Sequence, residues 1–320
     1  MFSPKLNVVF CGTPEFAVPS LMMLHHHPRI EIKHIISMPD RPAGRGQELK
    51  SPAVIEYAKK YKLPFKQTEN LNNELKLLET LKVDTDIVIV LAFAQFLNKS
   101  WLSLPKLGCF NIHTSLLPKY RGAAPIQYTL LHGEAETGVS IQKMVAKMDA
   151  GNIVIEKKIN IRPYEHTASL QTKLQFAAAL ALEELLTQII DNKIHEVTQI
   201  DSEVSFAPEI PKEMGYIRFE IEMRNNILNK LRGLTPWPGL YFYLNNKRVK
   251  IHDLDIPTPE SLYSLKPGEI KALNQQLIVG CKDGPLRISF LQMEGKEKTA
   301  DHQFISGIKE IMTITEGNSR

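Results

Sequence analysis

Hydrophobic positions along the chain change period several times. Residues 6–11 form a short apolar run broken by Gly12-Thr13-Pro14-Glu15. That run predicts a buried strand, and Thr13 before Pro14 predicts a helix over 15–27 with Thr13 as its cap. An alternating, Ile-rich stretch over 30–37 predicts a second strand. Residues 50–61 and 72–81 read as helices, and 86–92 and 108–113 as strands. Two more strands are expected over 139–145 and 153–161, then a long helix over 166–191 whose alanines at 177–181 suit close packing. Strands alternating with helices predict an α/β fold with a doubly wound, mainly parallel Rossmann-like sheet. Such sheets bind ligands beyond the C-terminal ends of their strands, where His113 stands.

After Asn192 the period fades, and 192–212 reads as a linker. Strand signals dominate from 213. Residues 239–244 and 247–252 flank Asn245-Asn246, a hairpin signal, and 277–281 and 286–291 form a second pair. These predict a small antiparallel barrel of OB-like type. The expected domains are 1–191 as the catalytic domain, 192–212 as the linker and 213–320 as the OB-like domain. No internal repeat or low-complexity tract is present.

Composition narrows the class. A hydrophobic content of 43% and a charged content of 23% are ordinary for a soluble globular protein. The formal net charge is +4, yet residues 208–320 hold 16 Lys/Arg against 14 Asp/Glu. Any polyanion site must therefore come from local clusters. Cys11, Cys109 and Cys281 are far apart and lack metal or disulfide spacing, which fits a reducing compartment. The longest apolar run, 87–94, is far short of the ~20 residues of a membrane helix. A cytoplasmic protein with no metal is expected, and nothing implies an oligomer. Other motifs are incomplete. His25-His26-His27 reads as a surface triplet, His195-Glu196 lacks a second zinc histidine, and Gly138-x-Ser140 lacks the closing glycine of a nucleophile elbow. No Gly-x-Gly-x-x-Gly follows the first strand, which argues against a dinucleotide enzyme.

Candidate chemistry lies in Asn111-Ile-His113 and in Asp149 before Gly151. Two readings stand side by side. His113 can be a structural hydrogen-bonder and Asp149 a turn residue. Alternatively, Asn111 and His113 on one strand face hold a carbonyl oxygen as it becomes negative, and the imidazole, oriented by Asp149, moves a proton from an attacking amine. The basic segment from Arg41 through Arg45 to Lys50 reads either as a solvated loop or as a phosphate contact. Lys247, Arg248 and Lys250 are either a charged strand edge or a nucleic-acid patch.

Longer motifs add a resemblance. The segment Cys109-Phe-Asn-Ile-His-Thr-Ser-Leu-Leu-Pro-Lys-Tyr-Arg-Gly-Ala-Ala-Pro-Ile-Gln127 resembles the signature of folate-dependent formyltransferases. Phe10-Cys-Gly-Thr-Pro-Glu-Phe-Ala-Val-Pro19, Asp40-Arg-Pro-Ala-Gly-Arg-Gly46 and Thr235-Pro-Trp-Pro-Gly239 resemble the branch that formylates methionyl-tRNA. The likeness covers nearly the whole chain. It implies that 10-formyltetrahydrofolate is the formyl donor and initiator Met-tRNA the acceptor, in translation initiation. It implies catalytic roles for Asn111, His113 and Asp149, and a folate-binding segment at Ser115, Leu116, Leu117 and Pro118. It implies that Arg45, with Arg41, meets the acceptor end of tRNA, and gives Lys247, Arg248 and Lys250 a phosphate to contact. The chain departs from the family's usual residues at Ala94 (Gly), Asn98 (Pro) and Glu209 (Lys). Other acceptors on the same core, a catalytically inert nucleic-acid binder and an oxidoreductase are the rival readings.

Overall fold

The apolar run at the start becomes strand β1 (Leu6–Gly12), central in a seven-stranded sheet. Alternation puts Val9 and Cys11 on one face and Val8 and Phe10 on the other, all fully buried. In this computed structural model residues 5–44, 46–260, 263–307 and 312–315 are described. A 3₁₀ turn at Glu15–Ala17 leads into α1 (Val18–His26), and Pro19 sits in its first turn. Thr13 does not cap a helix. Its hydroxyl oxygen accepts the Met38 amide at 3.4 Å, tying the end of β1 to the end of β2 (Ile30–Ser37).

The segment expected as an open basic loop is a small hairpin, β3 (Arg41–Ala43) with β4 (Glu48–Lys50). Its base is pinned by Asp40, which accepts from Ser51 Oγ and Gln67 Nε2. Lys50 thus lies in a strand, and helix α2 (Ala53–Tyr61) begins only after Pro52. His25 of the histidine triplet bonds Tyr57 of α2 through Nδ1. Strand β5 (Phe65–Gln67) and α3 (Leu75–Lys82) precede β6 (Ile87–Leu91), in which every residue is buried.

After β6 the chain turns through Phe93 to Asn98. Ala94 has φ +60°, in the left-handed region that glycine occupies without steric cost. Asn98 caps α4 (Lys99–Leu102), its Oδ1 accepting from Ser100 N and Trp101 N at 3.0 and 3.1 Å. Trp101 is fully buried, and its indole N–H donates to the Leu71 carbonyl at 3.0 Å. Both departures from the family pattern thus have a local meaning: one costs backbone strain, the other supplies a cap. Ala94→Gly is expected to stabilise the protein by up to about 1 kcal/mol, read as a higher urea midpoint at unchanged slope.

Strand β7 (Gly108–His113) pairs parallel with β6. After α5 (Pro125–Leu131), β8 (Glu136–Lys143) and β9 (Ile153–Asn160) close the sheet antiparallel. The order is β5-β2-β1-β6-β7-β8-β9, mainly parallel with two antiparallel strands at one edge. Helix α6 (Thr167–Ile190) follows and buries Leu174, Ala178, Ala181 and Leu185.

The chain divides into two compact units. The first holds Met1–Pro125, Glu136–Asn160 and Gln171–Pro208; the second holds Ile126–Ala135, Ile161–Leu170 and Glu209–Arg320. This differs from the contiguous division read from the sequence. Residues 192–208, expected as a linker, pair with the first unit through Ile153–Val197 and Arg121–Phe206 bridges. Two earlier segments join the second unit because of α7 (Arg224–Leu234). Thr167 Oγ1 donates to the Gly233 carbonyl at 2.7 Å, and Arg232 Nε donates to Glu165 O at 2.9 Å.

In the second unit, β10 (Leu240–Leu244) and β11 (Lys247–Asp255) form the hairpin expected at Asn245-Asn246. Both asparagines have positive φ, as a tight hairpin turn requires. Strands β12 (Ile270–Leu273), β13 (Gln276–Cys281) and β14 (Gly284–Met293) extend the antiparallel sheet in the order β10-β11-β14-β13-β12. A short β15 (Thr299–Ala300) pairs with β14 and leads into α8 (Asp301–Ser306). No helix among the described residues is long and apolar enough to cross a membrane.

Candidate active site

Strand alternation puts Asn111 and His113 on the same face at the end of β7. The register with β8 sets Asn111 opposite Gln142 and His113 opposite Ser140. Asp149 enters from the turn after β8 with φ +50°, a conformation that Asp tolerates better than most residues. The next glycine allows the turn to close. A Cβ on Gly151 would stand 1.8 Å from the Lys143 carbonyl oxygen, so any side chain there would push the Asp149 turn off β8.

These three side chains converge. Asn111 Nδ2 donates to Asp149 Oδ1 at 3.3 Å, and His113 Nδ1 faces Asp149 Oδ2 at 3.7 Å. His113 Nε2 lies 2.9 Å from the Tyr120 carbonyl oxygen. A carbonyl only accepts, so Nε2 carries a proton. In the neutral ring Nδ1 is then the unprotonated nitrogen. It can take a proton from an amine, and once protonated it is a cation beside a carboxylate. Asn111 spends one N–H on Asp149 and retains the other for a substrate oxygen. The His113 and Asp149 side chains are 7% and 10% exposed, so these interactions are weakly screened by water.

Further groups join that the sequence did not single out. Gln142 Nε2 donates to Asp149 Oδ1 at 2.9 Å, and its Oε1 accepts the Gly151 amide at 2.9 Å. The Gly122 amide donates to Asp149 Oδ2 at 2.9 Å. Arg121 is buried, and its Nε and Nη2 donate to Gln199 Oε1 at 3.1 and 2.7 Å. Gln142 was within reach of sequence reasoning, since an antiparallel β7–β8 pair sets it opposite Asn111. Gln199, in a stretch without periodicity, left no signal.

The four residues of the expected folate segment divide into two pairs. Ser115 is fully buried and its hydroxyl donates to the Lys119 carbonyl at 2.6 Å. Leu117 is buried and its amide donates to Ser140 Oγ at 3.0 Å. Leu116 and Pro118 are half-buried and form the accessible part of the turn.

Expected nucleic-acid contacts lie apart from this cluster in the chain. Arg41 is exposed and bonded to Glu69. Arg45 lies outside the described residues. In the second unit, Lys247 and Lys250 are exposed. The Arg248 guanidinium stacks on Tyr241, its Cζ 3.8 Å from the ring centroid. Strand β11, which carries all three, runs between β10 and β14, so the edge-protection reading does not apply. Glu209 is exposed.

All three cysteines are buried, and burial pushes the thiols of Cys109 and Cys281 up to about 12 and that of Cys11 up as well. None is on hand as a thiolate nucleophile. Among the described residues, no cluster of three or more His, Cys, Asp or Glu is placed to hold a metal ion.

An amide donor and an imidazole at a strand end, with a largely buried carboxylate beside them, suit a transferase that works by acid–base catalysis with an oxyanion donor. Residues 5–186 match the formyl transferase family and 209–309 match the formyl transferase C-terminal domain. The chain belongs to the formyl transferase family. It is similar to methionyl-tRNA formyltransferase of Geobacter metallireducens, 36% identical over 305 residues, 95% of this chain and 96% of that one. It is 35% identical over 309 residues to methionyl-tRNA formyltransferase of Staphylococcus aureus (strain MW2), covering 96% of this chain and 97% of that one. Among solved structures, the N-formyltransferase from Helicobacter canadensis in complex with folinic acid and dTDP-3-aminofucose shares the fold. Its TM-score is 0.66 at 19% identity, over 91% of this chain and 100% of that one.

Proposed function

We propose that this protein transfers the formyl group of 10-formyltetrahydrofolate to the α-amine of methionine carried by initiator tRNA. The observation that carries this reading is the convergence of Asn111, His113 and Asp149 in a chain similar over 95% of its length to methionyl-tRNA formyltransferases. The amine attacks the formyl carbon and gives a tetrahedral intermediate with a negative oxygen. The free N–H of Asn111 stabilises that oxygen. His113 Nδ1 takes the proton that the amine loses and delivers it to the departing N10 nitrogen, while the Asp149 carboxylate stabilises the imidazolium in between. The products are the formylated aminoacyl-tRNA and tetrahydrofolate.

The turn at Ser115, Leu116, Leu117 and Pro118 walls the pterin. Leu116 and Pro118 supply apolar surface, and Ser115 and Leu117 hold the turn from within. Arg41 and Arg45 contact the acceptor end of tRNA, and Lys247, Arg248 and Lys250 contact its phosphates. The first unit catalyses, and the OB-like second unit binds tRNA. The work is done in the cytoplasm, a reading that three free, buried cysteines support.

Charged initiator tRNA, an amino-sugar nucleotide and water are each offered as acceptor with 10-formyltetrahydrofolate. Formyl-methionyl-tRNA is expected as the main product, at a rate that falls steeply with added salt. Preferred formylation of the sugar nucleotide, or net hydrolysis of the donor, would overturn the acceptor assignment.

A further inference from the structure

Gln199 spans two loops of the candidate site with the two ends of one amide. Its Oε1 accepts from Arg121 Nε and Nη2, and its Nε2 donates to the carbonyls of Asp149 at 2.9 Å and Gly151 at 2.7 Å. The orientation is settled by chemistry, since a guanidinium has no acceptor and a carbonyl no donor. A primary amide is the side chain that presents both an acceptor to one neighbour and two donors to the other.

Arg121 is itself fixed. It is 3% exposed, its amide donates to Ser205 O at 2.9 Å, and its carbonyl accepts the Ala207 amide at 2.8 Å. The next amide, that of Gly122, donates to Asp149 Oδ2. The contacts close a ring: the Asp149 carbonyl to Gln199, Gln199 to Arg121, Arg121 through its own backbone to Gly122, and Gly122 back to the Asp149 carboxylate. The Asp149 backbone sits at φ +50°, away from the broad minima, and so depends on its surroundings for a fixed direction.

We propose that Gln199 is a positioning residue: its amide locks the Asp149 turn to the Arg121–Gly122 backbone and thereby holds the carboxylate in register with His113 and Asn111. Gln199 touches none of the reacting atoms. Its effect falls on the transition state, because a displacement near 1 Å in a reacting constellation costs about 10²-fold in rate. The inference rests on Asn111, His113 and Asp149 being the reacting centre.

The test is steady-state formylation of charged tRNA by the full chain, with melting temperatures recorded in parallel. Gln199→Ala is expected to lower kcat by roughly 10- to 100-fold and to leave KM for both substrates within about twofold. Gln199→Glu keeps an acceptor for Arg121 and loses both donors to the Asp149 turn, so it is expected to match the alanine variant in kcat. Full activity of Gln199→Glu would reduce the residue to an anchor for Arg121 and overturn the proposal. So would a normal kcat in Gln199→Ala, or a defect confined to KM. Should the alanine variant fail to fold, the glutamate variant decides. His113→Ala, measured alongside, separates the two levels: if it stays active, the reacting centre is wrongly assigned; if it is inactive while both Gln199 variants work normally, the clamp alone falls.

Discussion

Replacing His113 by alanine is expected to lower formylation turnover by about 10²- to 10⁴-fold, with KM for Met-tRNA and for the formyl donor nearly unchanged. The ring has one committed nitrogen, held by the Tyr120 carbonyl, and one available nitrogen 3.7 Å from Asp149 Oδ2. The available nitrogen moves a proton twice in the proposed cycle, and alanine can do neither step. Asn111→Ala is expected to cost about 10²–10³ in kcat, the usual loss when one oxyanion donor is removed. The double variant should lose less than the product of the two, because in the proposed cycle both residues serve the same intermediate. Single-turnover measurements on purified variants check this. A His113→Ala protein with unaltered turnover would remove the mechanistic reading.

In the second unit, Arg287→Ala is expected to destabilise the fold by about 3 kcal/mol, the lower end of the cost of stranding a buried charge. Asp301, the first residue of α8, is 1% exposed. Its carboxylate accepts Arg287 Nε at 2.7 Å and Nη2 at 3.2 Å, together with the His302 amide at 2.8 Å. The lower end applies because the Arg287 side chain is itself 29% exposed. Burial acts to raise the Asp301 carboxyl, but Arg287 and the amides of His302 and Leu277 outweigh it and hold it below the usual carboxylate value. The sign follows. The folded value is depressed, so the contribution is complete above the unfolded value of about 3.9 and is lost as pH falls through the lower folded value. Thermal melts of wild type and Arg287→Ala should therefore keep their full gap from neutral pH down to about pH 4 and converge only as pH falls further, through the lower folded value. An equal gap at all pH values would deny the pairing. Replacing both residues with apolar side chains should recover part of the loss.

Much of the first unit was legible because its signals are local. An all-apolar run such as Ile87–Leu91 has nowhere to go but the middle of a sheet. Asn111 and His113 share a face because alternate residues of any strand do. The Asn245-Asn246 hairpin could be read because the turn needs positive φ and asparagine tolerates it. What escaped was stabilised from a distance. Helix α7 begins at Arg224 after Met223, which offers no side-chain cap. Its first amide is received by Asp283, 59 residues further on. Residues 192–208 looked like a linker because their backbone partners lie on other segments, at Ile153 and Arg121. The 41–50 segment looked like a loop because a three-residue exposed strand buries nothing and so leaves no hydrophobic pattern.

By itself the sequence determined the mainly parallel α/β layer, the antiparallel second half and the strand that carries Asn111 and His113. Each of these follows from side-chain period and turn chemistry within about ten residues. Its motifs also tied the chain to formyl transfer. Only the tertiary structure decided which imidazole nitrogen is committed to a backbone carbonyl, that Asp149 is held by Gln142 and Gly122, and that Gln199 ties its turn to Arg121. Hydrogen bonds between segments up to 78 residues apart depend on how the strands and turns are brought together, which no local pattern encodes.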